Sequence, residues 1–265
     1  MLERRKYKRI AINISVGVMV RDLGDRVFIG AITTVGADGI GLRINTFLPE
    51  GTNVFLNFEL QDGLKLGSIA GKVLRSSEAK DRYFSAIKFL DLEPELKRKI
   101  DIYVGSVLFL KKIKPFSTLT DEEAWFIRKI SEDVYYKEGQ KIFEEGTDGN
   151  AFYIMINGKV KISKKTPHGK EETLATVKEG DFFGEMALLD QGLRSAGAVA
   201  AENASLFVIT RDDFKKVLDS NDALSRKLLW IFIHILSERL RGVDKAMTEM
   251  LFAAVEKDKG SGEKK

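Results

Sequence analysis

Apolar residues along this 265-residue chain keep one spacing over a long stretch and then change it, and they do so twice. From Ala11 to about Leu92, the segments "RVFIGAITTV", "GIGLRI", "NVFLNFEL", "LGSIAGKVLR" and "YFSAIKF" are separated by Gly, Asp or Pro. That is the pattern of brief strands and turns, and it predicts a small barrel. Leu96, Ile100, Tyr103, Val104, Val107 and Leu108 then recur at helical spacing after Pro94, which predicts an amphipathic helix over about 95–110. "KKIKP", residues 111–115, reads as a hinge with its Lys side chains in solvent and Pro115 stopping the helix.

The order then repeats. Thr120 and Glu123 make a capping box for a helix carrying Trp125, Phe126 and Ile130. "YYKEGQKIFEEGTDGNAFYIMINGKVKISKK" returns to alternation, punctuated by Gly139, Gly146, Gly149 and Gly158, and "ETLATV" and "SLFVIT" continue it. After Thr210 the spacing is helical again, with a short helix at Phe214, Val217 and Leu218 and a long one from about Asp222 to Phe252. The expected class is mainly β with flanking helices, in two domains, 1–110 and 116–252, with 253–265 a disordered tail.

Composition narrows the function. Apolar residues are 44% and charged residues 31%, as in globular proteins. No apolar run approaches the roughly 20 residues of a membrane span, and no apolar signal region follows Met1, so a cytoplasmic location is expected. The absence of Cys removes disulfides and thiolate nucleophiles, and the two isolated histidines, His168 and His234, assemble no metal site. His234 lies among apolar neighbours and is expected in a core or an interface, and His168, in the turn "PHGK", is expected in solvent. With no nucleophile–base arrangement either, no enzyme is expected. The net charge of +4 is uneven, concentrated in "ERRKYKRI" and around Lys111–Lys114, and does not by itself argue for nucleic acid.

"FFGEMALLDQGLRSAGAV", residues 182–199, sets Glu185 and Arg194 among apolar residues, where an unpaired charge costs several kcal/mol. If "FGEMALL" is a short helical turn opened by Gly184, its first N–H groups converge on an anion. Arg194 returns through the turn at Gly192 to add a planar fork, and Ser195 adds a hydroxyl and an N–H. Glu185, being negative, accepts from hydroxyls beside that anion. Phosphate next to sugar hydroxyl describes a compact ribose phosphate.

This segment resembles the phosphate-binding cassette of cyclic nucleotide-binding domains, the fold shared by the catabolite activator protein and the regulatory subunits of cyclic-AMP-dependent kinase. The similarity extends over about Phe116 to Leu240. It implies a β-roll with closing helices in which Gly184 and Glu185 hold the ribose 2′-hydroxyl. Arg194, Ser195, Ala196 and the N–H of Ala187 hold the cyclic phosphate, with Met186 in the same turn. Ser195 after Arg194 resembles the bacterial members that bind cyclic AMP, more than those that bind cyclic GMP. In the resembled family the long helix covers the base and often pairs with its twin, and its apolar centre, Leu228 to Leu236, implies a homodimer.

The first domain, about Arg4 to Val104, resembles the PilZ family of bacterial cyclic di-GMP receptors, which implies a six-stranded barrel. The family's RxxxR arm is present as "RKYKR", with Arg5 and Arg9 for phosphates and guanine faces. Its [D/N]xSxxG turn falls on "TVGADG", where Thr34 replaces the acid or amide, Gly36 the serine, and Gly39 is kept. A Thr hydroxyl offers guanine no paired acceptor edge. The expected protein is a second-messenger sensor for cyclic AMP, with a barrel that binds cyclic di-GMP or a protein partner. The alternatives are a DNA-binding regulator of the catabolite activator type and a ligand-free interaction scaffold; only about two dozen residues follow Arg241, too few for a helix-turn-helix domain.

Overall fold

A computed structural model describes residues 7–60, 65–166, 168–189, 192–220 and 222–262. They form two compact units, Met1–Phe214 and Lys215–Lys265.

The first unit begins with a closed barrel of β1 (Arg9–Val20), β2 (Arg26–Gly36), β3 (Gly39–Ile44), β4 (Asn53–Glu59), β5 (Lys65–Ala79) and β6 (Arg82–Phe89). The strands run in the order β1-β2-β3-β6-β5-β4, and β4 pairs back onto β1 from Gly17↔Asn57 to Val20↔Val54, so no edge is left open. β1 shows why these segments are strands. Ile10, Ile12, Val16, Val18 and Val20 are buried at alternate positions, against Ile32, Leu42, Leu56 and Ile87 from the other strands. Most of β1 lies within the Ala11–Leu92 stretch read as strands, ahead of the five quoted segments.

α1 (Pro94–Leu110) follows with Pro at its first turn and buries Ile100, Tyr103, Val104, Val107 and Leu110. The expected hinge after it is not free. Ile113 is buried, Lys114–Phe116 makes a 3-10 turn, and Lys111 pairs with Asp121 at the start of α2 (Asp121–Lys129). The capping box is present in both directions: the Glu123 N–H donates to Thr120 Oγ1 at 3.1 Å, and the Thr120 N–H donates to Glu123 Oε2 at 2.7 Å.

Beyond α2 lies a roll of two four-stranded sheets. One has the order β11-β10-β13-β8 and the other β12-β9-β14-β7. The strands are β7 (Glu132–Tyr136), β8 (Lys141–Phe143), β9 (Ala151–Asn157), β10 (Val160–Lys165), β11 (Glu171–Val177), β12 (Phe182–Phe183), β13 (Gly197–Ala200) and β14 (Ala204–Thr210), with the one-turn α3 (Met186–Leu189) between β12 and β13. Met155, Val160, Phe183, Ala198, Ala200 and Leu206 form the core between the sheets. Gly158 turns β9 into β10 at φ 92°, where a Cβ would lie 2.2 Å from the Asn203 carbonyl oxygen.

The second unit holds the end of α4 (Arg211–Ser220) and α5 (Asp222–Gly262). Ser225 Oγ donates to the carbonyls of Val217 and Leu218, tying the two helices. α5 runs to Gly262, past the Phe252 near which the sequence suggested its end, and residues 263–265 of the expected tail lie outside the described residues. His234 is not in the core of the chain. It lies on an exposed face of α5 with Glu238 Oε1 3.5 Å from its Nε2, whereas His168 is exposed as expected.

Candidate functional site

Arg194 is placed by backbone. Its N–H donates to the Thr147 carbonyl at 2.8 Å and its carbonyl accepts from the Gly146 N–H at 2.8 Å, so the turn before β9 fixes where the side chain starts. The guanidinium then enters the roll, where it is 6% exposed. Nη1 donates to the Gly184 carbonyl at 3.3 Å and Nη2 to the Ala151 carbonyl at 3.0 Å. The planar group lies over the Phe143 ring, 4.1 Å from its centroid, and 5.5 Å from that of Tyr153, within cation–π range. Nε is buried and makes no hydrogen bond within the described residues. Burial pushes the Arg194 pKa down, while Tyr153 and then Glu185 push it up.

Glu185, at 0% exposure, sits immediately before α3, and the Leu188 N–H donates back to its carbonyl at 3.1 Å. The short turn expected over "FGEMALL" is therefore present, and both charged residues of the cassette are inside the roll. Gly184 has φ 76°, and a Cβ there would stand 2.7 Å from Arg194 Nη1 and 3.1 Å from the Ala151 carbonyl. Only glycine lets the guanidinium approach that backbone. Ala196 is buried, while Met186 and Ser195 are exposed. Phe143, Tyr153 and Ala151, which carry the guanidinium, were absent from the sequence reading; no spacing rule connects them to Arg194.

A second cluster lies on the barrel. Arg5 is outside the described residues. Arg9 pairs across the sheet with Gly36, and Gly36 with Gly39, so the two halves of the expected motif do meet. Cβ atoms at Gly36 and Gly39 would come within 2.6 Å of the Arg9 side chain and 2.1 Å of the Ile87 carbonyl oxygen. Arg9 already holds a carboxylate, however: its Nε and Nη2 lie 3.2 and 3.0 Å from Asp38 Oδ1. Arg9 and Thr34 border an opening of about 380 Å³, completed by Thr33, Arg75, Ser76 and Phe84. Asp38 stands in the quoted turn, but its pairing with Arg9 follows from the β1–β2 register, which the sequence does not display.

Among the described residues no group of His, Asp and Glu is placed to hold a metal ion, and no helix is long and apolar enough to cross a membrane.

Two family models and several known proteins match parts of the chain. A family model for the cyclic nucleotide-binding domain matches residues 133–221, and one for the PilZ domain matches residues 3–106. The chain is 35% identical over 129 residues to the cyclic AMP receptor protein of Thermus thermophilus, a match covering 49% of this chain and 58% of that one. It is 33% identical over 122 residues to mouse cGMP-dependent protein kinase 2, covering 45% and 16%. A match to the cAMP-dependent protein kinase regulatory subunit of Aspergillus fumigatus is 28% identical over 192 residues, covering 72% of this chain and 44% of that one. Among solved structures, the Thermus thermophilus catabolite activator protein aligns with TM-score 0.47 and 33% identity, over 52% of this chain and 63% of that one. The chain thus spans 58% or less of the length of these curated relatives. Two family models thus match the chain in succession, PilZ over residues 3–106 and the cyclic nucleotide-binding domain over residues 133–221.

Proposed function

We propose that the protein is a non-enzymatic sensor whose roll binds cyclic AMP, with Arg194 on the cyclic phosphate and Glu185 on the ribose hydroxyl. One observation carries the reading. Among the described residues, the buried Arg194 gives its fork to two carbonyls and lies over two ring faces, and its Nε makes no hydrogen bond, while a guanidinium taken out of water is strongly favoured by a directly paired anion. The backbone of Gly184 and Ala187, the turn at Met186, and Ser195 and Ala196 complete the cradle. Cyclic AMP is preferred over cyclic GMP because of Ser195. Isothermal titration of the full chain with each nucleotide tests this: cyclic AMP is expected to saturate one site per chain and to bind tighter than cyclic GMP. Failure to bind either at millimolar concentration would refute the sensor.

The barrel offers a second ligand reading, cyclic di-GMP, favoured by the opening that gathers Arg9 and Arg75 beside Phe84. Equilibrium dialysis checks it, and a barrel that stays empty at high micromolar ligand is instead a platform for a protein partner.

The sensor works as a homodimer through α5. Leu229, Ile233, Leu236, Leu240, Val243, Met247 and Met250 are all at least 36% exposed and follow one another at steps of four and three, a heptad stripe. Arg239 and Asp244 fall at g and e positions of that register, where opposite charges meet across a parallel pair. Light scattering is expected to report a dimer for the wild type and a monomer for Leu240→Asp.

A further inference from the structure

We infer that α2 couples the barrel opening at Arg9 to the cassette at Glu185, with Asp121 as the positioning residue that joins them. The inference rests on the cyclic nucleotide reading of the roll.

Asp121 opens α2 and is claimed by two other elements. Its Oδ2 accepts the Ala11 N–H at 2.9 Å, and its Oδ1 pairs with Lys111 at the end of α1. Ala11 belongs to β1, two positions past Arg9 and opposite Thr34, and both of those residues border the barrel opening. The β1–β2 register shifts between Ala11 and Ile14. A bulge of this kind bends a strand and re-aims its groups, and here it coincides with an N–H given to a different domain. A second tie lies one turn along α2: the Trp125 indole N–H donates to the Leu60 carbonyl at 3.1 Å, just past β4. β4 and β1 are the two strands that close the barrel, so α2 holds the barrel at its seam.

The last turn of α2, on the same face as Asp121 and Trp125, reaches the roll through Arg128, which is 8% exposed. Its Nε donates to Ser106 Oγ of α1 at 3.0 Å, its Nη1 to the Ser131 carbonyl at 3.0 Å, and its Nη2 pairs with Asp133 at the start of β7. The same guanidinium lies 4.5 Å from the Phe207 ring centroid, and Phe109 of α1 meets that ring edge-on at 6.3 Å. Phe207 of β14 pairs with Ile154 of β9, and Ile154 pairs with Phe182 of β12, two residues before Gly184. One helix therefore holds, at one end, the strand that positions Arg9 and, at the other, the sheet that leads into the cassette. Close-packed elements of this kind shift as units. A ligand that favours one placement of β12 must then favour one placement of α2, and coupling of that sort is reciprocal between the two sites.

Hydrogen–deuterium exchange on the full chain, with and without cyclic AMP, tests this in the wild type and in Asp121→Ala, Asp121→Asn and Trp125→Phe. In the wild type, cyclic AMP is expected to slow exchange in 182–197 and also in 9–14. The response at 9–14 is expected to vanish in Asp121→Ala and to persist, reduced, in Asp121→Asn, whose amide oxygen still accepts the Ala11 N–H. Trp125→Phe, which keeps the ring and loses the donor, is also expected to reduce it. A wild-type cassette that responds while 9–14 does not, or an unchanged response in Asp121→Ala, overturns the coupling and leaves the ligand reading standing. A cassette that does not respond at all overturns the ligand reading and the coupling with it.

Discussion

The chain carries two buried or half-buried arginines at candidate ligand sites, and they are supplied differently. Arg9 of the barrel is matched by the protein's own carboxylate, with both of its hydrogen bonds running to Asp38 Oδ1. Arg194 of the roll is more deeply buried and is given carbonyl oxygens and aromatic faces. A guanidinium already neutralised in place gains little from an incoming phosphate, because the new pair replaces an old one. A guanidinium whose hydrogen bonds run to neutral carbonyls gains a full opposite charge as a direct partner in a low-dielectric site. On the proposed sensor reading, the difference predicts stronger anion binding in the roll than in the barrel.

The largest effect should come from the roll. Arg194→Ala is expected to weaken cyclic AMP by about 2–5 kcal/mol, the range for removing one member of a buried charge pair. Arg194→Lys, which keeps the charge but not the fork, should fall between the two in isothermal titration. Next comes Gly184→Ala. A side chain at φ 76° and the contact with Nη1 should cost at least about 1–2 kcal/mol of folding stability in urea titrations and displace the guanidinium. If ligand affinity survived that substitution intact, the close approach of Gly184 to Arg194 would not matter to binding.

Smaller effects belong to the barrel. Asp38→Ala removes a partly exposed pair, so stability should change by about 1 kcal/mol or less, while affinity for cyclic di-GMP in equilibrium dialysis should rise as Arg9 is released. A fall in affinity would mean that Asp38 assists the ligand, and the contrast between the two arginines would be lost. The smallest effect is acid dependence at Asp121. Burial raises its pKa, but the hydrogen bond from Lys111 and that from the Ala11 N–H outweigh burial and hold it below its ordinary 3.8. A carboxylate with a lowered folded pKa contributes stability that is complete above the unfolded value and is lost as pH falls through the folded one. Wild type and Asp121→Asn should therefore differ in melting temperature above pH 3.8 and converge in more acid solution.

Much of the architecture was legible because local signals agreed with the tertiary answer. The helix from Pro94, the capping box at Thr120 and the cassette turn at Gly184 each carry their own residue types. β1 is legible from the alternation of Ile10, Ile12, Val16, Val18 and Val20. What stayed hidden depends on register and side-chain reach. Asp38 meets Arg9 only once β1 and β2 are aligned, and Phe143 meets Arg194 only once the roll closes. The "KKIKP" segment looked like a hinge because lysines favour solvent; the partner that fixes Lys111 is Asp121, ten residues on, at the start of the next helix. Composition gives the tendency of a segment, and a single long-range carboxylate reversed it.

The most direct test asks whether the buried guanidinium serves the ligand or the fold. The unfolding free energies of wild type and Arg194→Ala should be compared without nucleotide and with cyclic AMP at 100 times the wild-type Kd. The two proteins are expected to be nearly equally stable alone, and on adding ligand the wild type should gain about 2.7 kcal/mol and Arg194→Ala about 1 kcal/mol or less. If Arg194→Ala instead loses the same stability in both conditions, Arg194 is a structural residue and the sensor account is wrong.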